Sequence, residues 1–302
     1  MFKKITLITT LAGILFAGTL PAETLKYAGS DFLAGSAEKV FREELEKNVP
    51  GLKLQGELLG SKVALEQLRK GEIDFAMIML ADPEAVPELK NKTWRANALA
   101  YQVAYLIAPQ SNPVEELSIF QLRGIFANFS EAPLNNWNEV SNAVTGASKI
   151  QRIVSMANDN ACGVTFQSLV FPRAGFNKDL RKTQNDEDAI RAVLNTSNAI
   201  ALTASPPKNQ PSLKLLSISP ANKKDEKATA YKPIAANIYN RDYPLSVQFL
   251  LVYPAEKREK IIPAIRVILS EPFAKSLENA SLMPIPKNIR ESLKKNIDEP
   301  EK

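Results

Sequence analysis

The sequence predicts an α/β fold built from mostly parallel sheets covered by helices, and three observations carry that reading. Short apolar runs alternate with segments whose apolar residues recur at helical spacing. Two of the runs, Ile73 to Leu80 and Val103 to Ala108, are nearly unbroken, as in strands buried on both faces. No unit of solenoid length repeats along the chain.

Taken in order, Leu25 to Ala28 and Leu52 to Gln55 read as strands. Between them Ala37, Val40, Phe41 and Leu45 recur at helical spacing behind candidate caps Ser30 and Ser36. A helix from Val63 to Arg69 leads into the Ile73 strand. After the Val103 strand, Asn112-Pro113 and a Ser118 cap introduce a short helix carrying Leu122, Ile125 and Phe126. Ile150 to Val154 and Ala199 to Thr203 are strand-like, and helices fit Val164 to Val170 and Asp186 to Leu194. The second opens with Asp186, Glu187 and Asp188 at the positive end of its dipole. Residues 204–233 are rich in Pro, Lys, Asn and Ser and read as surface connections. Val247 to Tyr253 is a strand, followed by helices around Ile261 to Leu269 and Phe273 to Leu277. From Lys257 to Lys302 basic and acidic residues intermix, which reads as solvated helix faces.

Composition argues for binding over chemistry. The chain has 302 residues, 45% hydrophobic and 24% charged, with one Cys and no His. Without histidine there is no Ser-His-Asp or Cys-His catalysis, no His-ligated zinc or haem, and no ordinary proton shuttle near neutral pH. Cys162 alone forms neither an internal disulfide nor a thiolate metal site. No enzyme and no cofactor are expected.

Residues 1–22 read as a cleaved secretory signal: Lys3 and Lys4 precede an apolar stretch from Ile5 to Ala17, and Leu20-Pro21-Ala22 offers a small residue before cleavage. The stretch is shorter than the roughly 20 apolar residues a membrane span needs. Loss of Lys3 and Lys4 would lower the formal charge of +5, whose scattered basic residues do not suggest a nucleic-acid partner.

Four ordered segments carry a more specific resemblance. They are LKYAGSDFLAG from Leu25; LQGELLGSKVALEQLRKGEIDFA from Leu54; AYLIAPQSNPVEELSIFQLRGIFANFSEAPLNNWNEV, ending at Val140; and RDYPLSVQFLLVYP from Arg241, followed by SEPFAKSLENASLMPIP. Together they resemble the phosphate-type periplasmic solute-binding proteins of ABC importers. The resemblance implies a type II periplasmic-binding-protein fold, with two α/β lobes joined by two hinge crossings. One lobe would comprise residues 23–106 and 235–302, the other 107–234, with crossings near Leu106 to Pro109 and Ile234 to Tyr239. It also implies an exported, periplasmic or secreted monomer, a small solute of the oxyanion kind, and an ABC permease as partner. The competing reading is a degenerate fold acting as an adaptor or sensory module without a small solute.

The family's binding positions carry over unevenly. The first loop gives Ser30, Asp31 and Phe32. Asp31 stands where a neutral hydroxyl residue is usual, so it either repels an anion or serves as a helix cap. Ser61 matches the family's serine at the second helix start, and Lys62 after it is either a ligand cation or a solvated lysine. Counting from Asp74 puts the family's proton-accepting aspartate at Met79; Asp82 would substitute only if the strand end were rebuilt. Alignment on Gly163 puts Asn158, Cys162 and Val164 at the Arg, Ser and Thr positions, and a slip of one brings in Thr165. Each of these replacements removes an oxyanion contact. Cys162, at a helix start, is either a reactive thiolate or a small residue filling a turn. Trp137 is expected in the core, while Trp94 is either core or a stacking platform.

Overall fold

The apolar runs become the strands of two separate sheets. The computed structural model describes residues 24–155 and 161–297; the expected leader and Asn158 lie outside the described residues. The chain opens with β1 (Thr24–Gly29), a 3-10 turn over Asp31–Leu33, α1 (Ser36–Asn48), β2 (Lys53–Glu57) and α2 (Ser61–Arg69). Next come β3 (Phe75–Leu80), α3 (Pro87–Lys90), β4 (Trp94–Val103), β5 (Tyr105–Pro109), β6 (Glu116–Ser118), α4 (Ile119–Phe126) and α5 (Trp137–Val140). The middle section holds β7 (Gln151–Ser155), α6 (Ala161–Val170), β8 (Arg181–Thr183), α7 (Asp186–Leu194), β9 (Ala199–Thr203), β10 (Leu213–Leu215) and β11 (Ser217–Ser219). Last are α8 (Ala235–Tyr239), β12 (Ser246–Pro254), α9 (Arg258–Ile268), α10 (Glu271–Asn279), β13 (Met283–Pro284) and α11 (Lys287–Ile297).

The first sheet runs β13-β4-β12-β3-β1-β2 and the second β10-β5-β9-β7-β8. The βαβ units give the expected parallel pairs, β1 with β2 and β3, and β7 with β8 and β9. The remaining ladders of these two sheets are antiparallel: β12 lies between β3 and β4 against both, and β5 opposes β9, while β6 and β11 pair in parallel as a separate two-stranded sheet. The sheets are therefore mixed rather than mostly parallel, because β4 and β12 carry the chain out of the first sheet and back into it.

That exchange is confined to two adjacent points. β4 ends in the first sheet at Val103 and β5 begins in the second at Tyr105, so the outward changeover is Ala104; Leu106 to Pro109 already lie in β5. The return comes at Leu245, after α8 has taken up Ala235–Tyr239. The Ala104 N–H donates to the Leu245 carbonyl at 2.9 Å, and the Tyr243 hydroxyl donates to the Ala104 carbonyl at 2.8 Å.

Each sheet has its own packed core. On the first, Tyr27, Phe41, Phe75 and Phe273 interlock with centroids 5.6–6.1 Å apart. On the second, Phe126, Phe166 and Trp137 are buried, and the Trp137 indole N–H donates to the Asn198 carbonyl at 2.9 Å. Trp94 is buried too, beneath the Arg69 guanidinium 5.9 Å from its ring, so it offers no stacking platform. Among the described residues, the mixed charges of the C-terminal region include groups that turn inward. Arg290 of α11 is buried and donates to the Ser270 and Ile285 carbonyls, both at 3.0 Å, and to Glu271 at 2.8 Å.

Candidate functional site

Some of the residues matched to the family's binding positions come together where β1 and β3 end, beside α2 and α6. Gly29 closes β1, and only a residue without a side chain fits there: a Cβ would stand 2.4 Å from the Met77 carbonyl oxygen. This approach lets the Ser30 N–H donate to Met77 O at 2.7 Å and the Gly60 N–H donate to Gly29 O at 2.8 Å. Gly60, at φ 119°, then turns the chain into α2, a conformation that favours glycine. The two loops are thereby tied to one strand end.

Four residues lie along this seam. Ser30 is 1% exposed, and its hydroxyl accepts the Phe32 N–H at 3.4 Å, capping the 3-10 turn. The Ser61 hydroxyl, in the first turn of α2, accepts the Met79 N–H at 2.9 Å. The Met79 sulfur in turn accepts from the Thr165 hydroxyl at 3.7 Å. Thr165 is fully buried and belongs to α6, on the second sheet's side. A thioether and a hydroxyl thus join the two halves at the position matched to the family's aspartate.

The other candidates lie elsewhere. Asp31 is exposed in the first turn of the 3-10 segment, and the cap is Ser30, so the capping reading of Asp31 does not hold. Phe32 is half-buried against the first core, and Lys62 is exposed. Val164 is 47% exposed, whereas Cys162 and Gly163 are buried. Asp82 caps the turn that follows it by accepting the Glu84 N–H at 2.9 Å, a structural role. Thr165, reached in the sequence only by letting the count slip, is the α6 residue that meets Met79.

Cys162 packs beside the changeover. Its thiol donates to the Thr203 carbonyl at 3.3 Å, with the Val103 carbonyl at 3.9 Å. Burial, with the Asp186 charge adding to it, pushes the thiol far above its ordinary value. The reactive-thiolate reading fails on that geometry. A maleimide probe near neutral pH is expected to leave the folded protein unlabelled and to react only after denaturation; labelling at a free-thiol rate would contradict this placement.

Arg152 is the buried cation nearest in sequence to α6, but three of its N–H bonds are committed within the second half. It donates to the Ile125 carbonyl at 2.5 Å, the Leu134 carbonyl at 2.8 Å and Asn135 Oδ1 at 2.9 Å. Burial lowers its pKa, with Asp179 and Glu139 opposing. It sits near the start of β7, whereas α6 follows the strand's other end. Arginine here ties α4 and the following loop to the second sheet.

Comparison with known proteins agrees with this framework. A family model described as a PBP superfamily domain matches residues 17–270. The chain belongs to that family of binding-protein domains. Protein SphX of Synechococcus elongatus is 22% identical over 223 residues, 72% of this chain and 64% of that protein's length, so the match spans less than two thirds of the relative. A possible phosphate binding protein from Planctomyces limnophilus superposes with a TM-score of 0.70 at 21% identity, covering 91% of this chain and 98% of that one. An ABC-type phosphate transport receptor from Vibrio cholerae gives 0.58 at 21% identity, covering 87% and 100%. At these identities the likeness establishes the two-lobed fold. No helix among the described residues is long and apolar enough to cross a membrane.

Proposed function

We propose that this chain is an exported solute-binding protein of the ABC-importer class, that it takes a small solute between its two lobes, and that it binds phosphate poorly. The observation supporting the last point is the Met79–Thr165 contact. A thioether is a weak acceptor, and it stands where the resemblance calls for a carboxylate to accept the proton of a protonated oxyanion. Ser61, partly exposed, and the N-terminus of α2 remain, a set suited to neutral polar groups, while the Ser30 and Thr165 hydroxyls are buried and engaged within the seam.

Charge-assisted hydrogen bonds are worth roughly 1.5–3 kcal/mol each, so losing two weakens an anion by about 10³-fold. Titration calorimetry on mature protein, stripped of ligand by unfolding and refolding, is expected to give a phosphate Kd above roughly 100 μM. Micromolar or tighter binding would overturn the reading. The same contact lets the two halves meet without a solute, which favours an adaptor as the second reading. Failure to release any small molecule on denaturation, together with no response to a metabolite screen, would support it.

A further inference from the structure

We infer that Met79 and Thr165 form an internal latch, a contact that holds the two halves of the molecule together at the seam and has to break before they part. The inference goes beyond the reading above, because it holds whether or not a solute is taken.

The contact joins two rigid surfaces. Met79 is paired with Phe249 of β12, while Met77, two residues earlier, is paired with Gly29 of β1. The Met79 N–H is also held by the Ser61 hydroxyl at 2.9 Å. On the other side α6 is fixed around Thr165. Phe166 is fully buried in the second core, and Cys162 donates to the Thr203 carbonyl at 3.3 Å. Each half therefore presents a set side chain, and the Thr165 hydroxyl reaches the Met79 sulfur at 3.7 Å. Among the described residues that sulfur is the hydroxyl's only acceptor.

The place of the contact decides what it restrains. β4 and β12 carry the crossings, and in the first sheet β3 lies beyond β12 while β13 lies beyond β4. Met79 is thus on one flank of the crossings. On the other flank, the Tyr239 hydroxyl of α8 donates to the Pro284 carbonyl of β13 at 3.1 Å. Parting of the halves on the β3 flank separates Met79 from Thr165 but does not draw Tyr239 away from Pro284. A thioether is a weak acceptor, so the latch biases the halves towards contact without sealing them. A bond of this kind shifts a two-state population by about three- to tenfold. A solute taken at the seam would bind more weakly in proportion to the fraction of molecules whose latch is open.

The test needs no ligand. Exposed Lys53 lies on β2, the outermost strand of the β3 flank, and exposed Lys182 lies on β8, beyond the strand that α6 follows. Spin labels on Lys53→Cys and Lys182→Cys, read by pulsed dipolar spectroscopy on the mature protein, report their separation; Cys162 is buried and stays unlabelled. One narrow distance is expected in the otherwise unchanged chain. Met79→Leu and Thr165→Val keep the bulk and remove the acceptor or the donor, and each should raise the population at longer distance about three- to tenfold. The double variant should open no further than either single one, because both remove the same bond. Tyr239→Phe, on the opposite flank, should leave the distance unchanged. Additive opening in the double variant, or equal opening by Tyr239→Phe, would overturn the latch in favour of general loosening. Two comparably populated distances in the unchanged chain would also overturn it, as would one narrow distance that survives even Met79→Ala.

Discussion

Replacing Asp74 with asparagine is expected to lower the unfolding free energy at neutral pH by about 2–3 kcal/mol. The carboxylate side chain is 9% exposed and accepts three charge-assisted or backbone bonds: from Lys257 Nζ at 2.9 Å, Lys260 Nζ at 2.8 Å and the Lys26 N–H at 2.9 Å. Removing one partner of a fully buried pair costs about 3–5 kcal/mol. The two ammonium groups here are 29% and 33% exposed, so water recovers part of that and the smaller figure applies.

The pH dependence gives a second readout. Burial pushes the Asp74 carboxyl up, but the Lys26 N–H and the two lysines outweigh it and hold its pKa below the ordinary value. A carboxyl depressed on folding contributes stability that is complete above its unfolded pKa, near 3.9, and is lost as pH falls through the folded value. The gap between wild type and Asp74→Asn should therefore narrow as pH drops below about 4. Urea unfolding at neutral and acid pH measures it, and a gap that stays constant would mean the carboxylate carries no net stabilisation.

Phe41→Ala is the largest core loss expected, about 3–5 kcal/mol. Phe41 is fully buried on α1 and touches the rings of Tyr27, Phe75 and Phe273, so three elements share the cavity it would leave. Strands β1 and β3 cannot close over it, because their register is fixed by pairing on both sides. The urea midpoint should fall with little change in slope; a loss below about 1 kcal/mol would mean that α1 slides inward to fill the space.

Much of this fold was legible in the residue pattern because burial and periodicity coincide. The strands at Leu25, Ile73, Ile150, Ala199 and Val247 and the helix Asp186–Leu194 lie where apolar spacing places them. β4 was not anticipated as a long strand, since Trp94 to Val103 is rich in Ala, Asn and Gln, whose strand preference is weak. Its tertiary partner β12 supplies the ladder that its own sequence does not advertise. The changeover at Ala104 was hidden for a related reason: Val103 to Ala108 is one unbroken apolar run, and nothing in it marks where one sheet yields to the other.

The site was legible only in part. Counting from Asp74 reached Met79, and Ser61 followed from its match to a helix start; the structure joins them through one hydrogen bond. Which residue of the α6 turn would face Met79 depended on rotation about that helix, and a shift of one residue turns a side chain by about 100°. That angle separates exposed Val164 from buried Thr165.

The paired crossings at Ala104 and Leu245 restrict how the molecule can deform. Two bodies linked at one point could swivel in any direction. Two links lying side by side, hydrogen-bonded to each other and clasped by Tyr243, leave one compliant rotation, about the line through both. Swivelling or sliding would have to stretch or break the bond between them. Any opening is then a one-dimensional motion whose displacement grows with distance from that line. Surfaces near the pivot, such as buried Cys162 against Val103 and Thr203, would shift little. A reporter label would register the change best on residues farthest from the axis, and its amplitude would serve as a lever-arm measure of the angle.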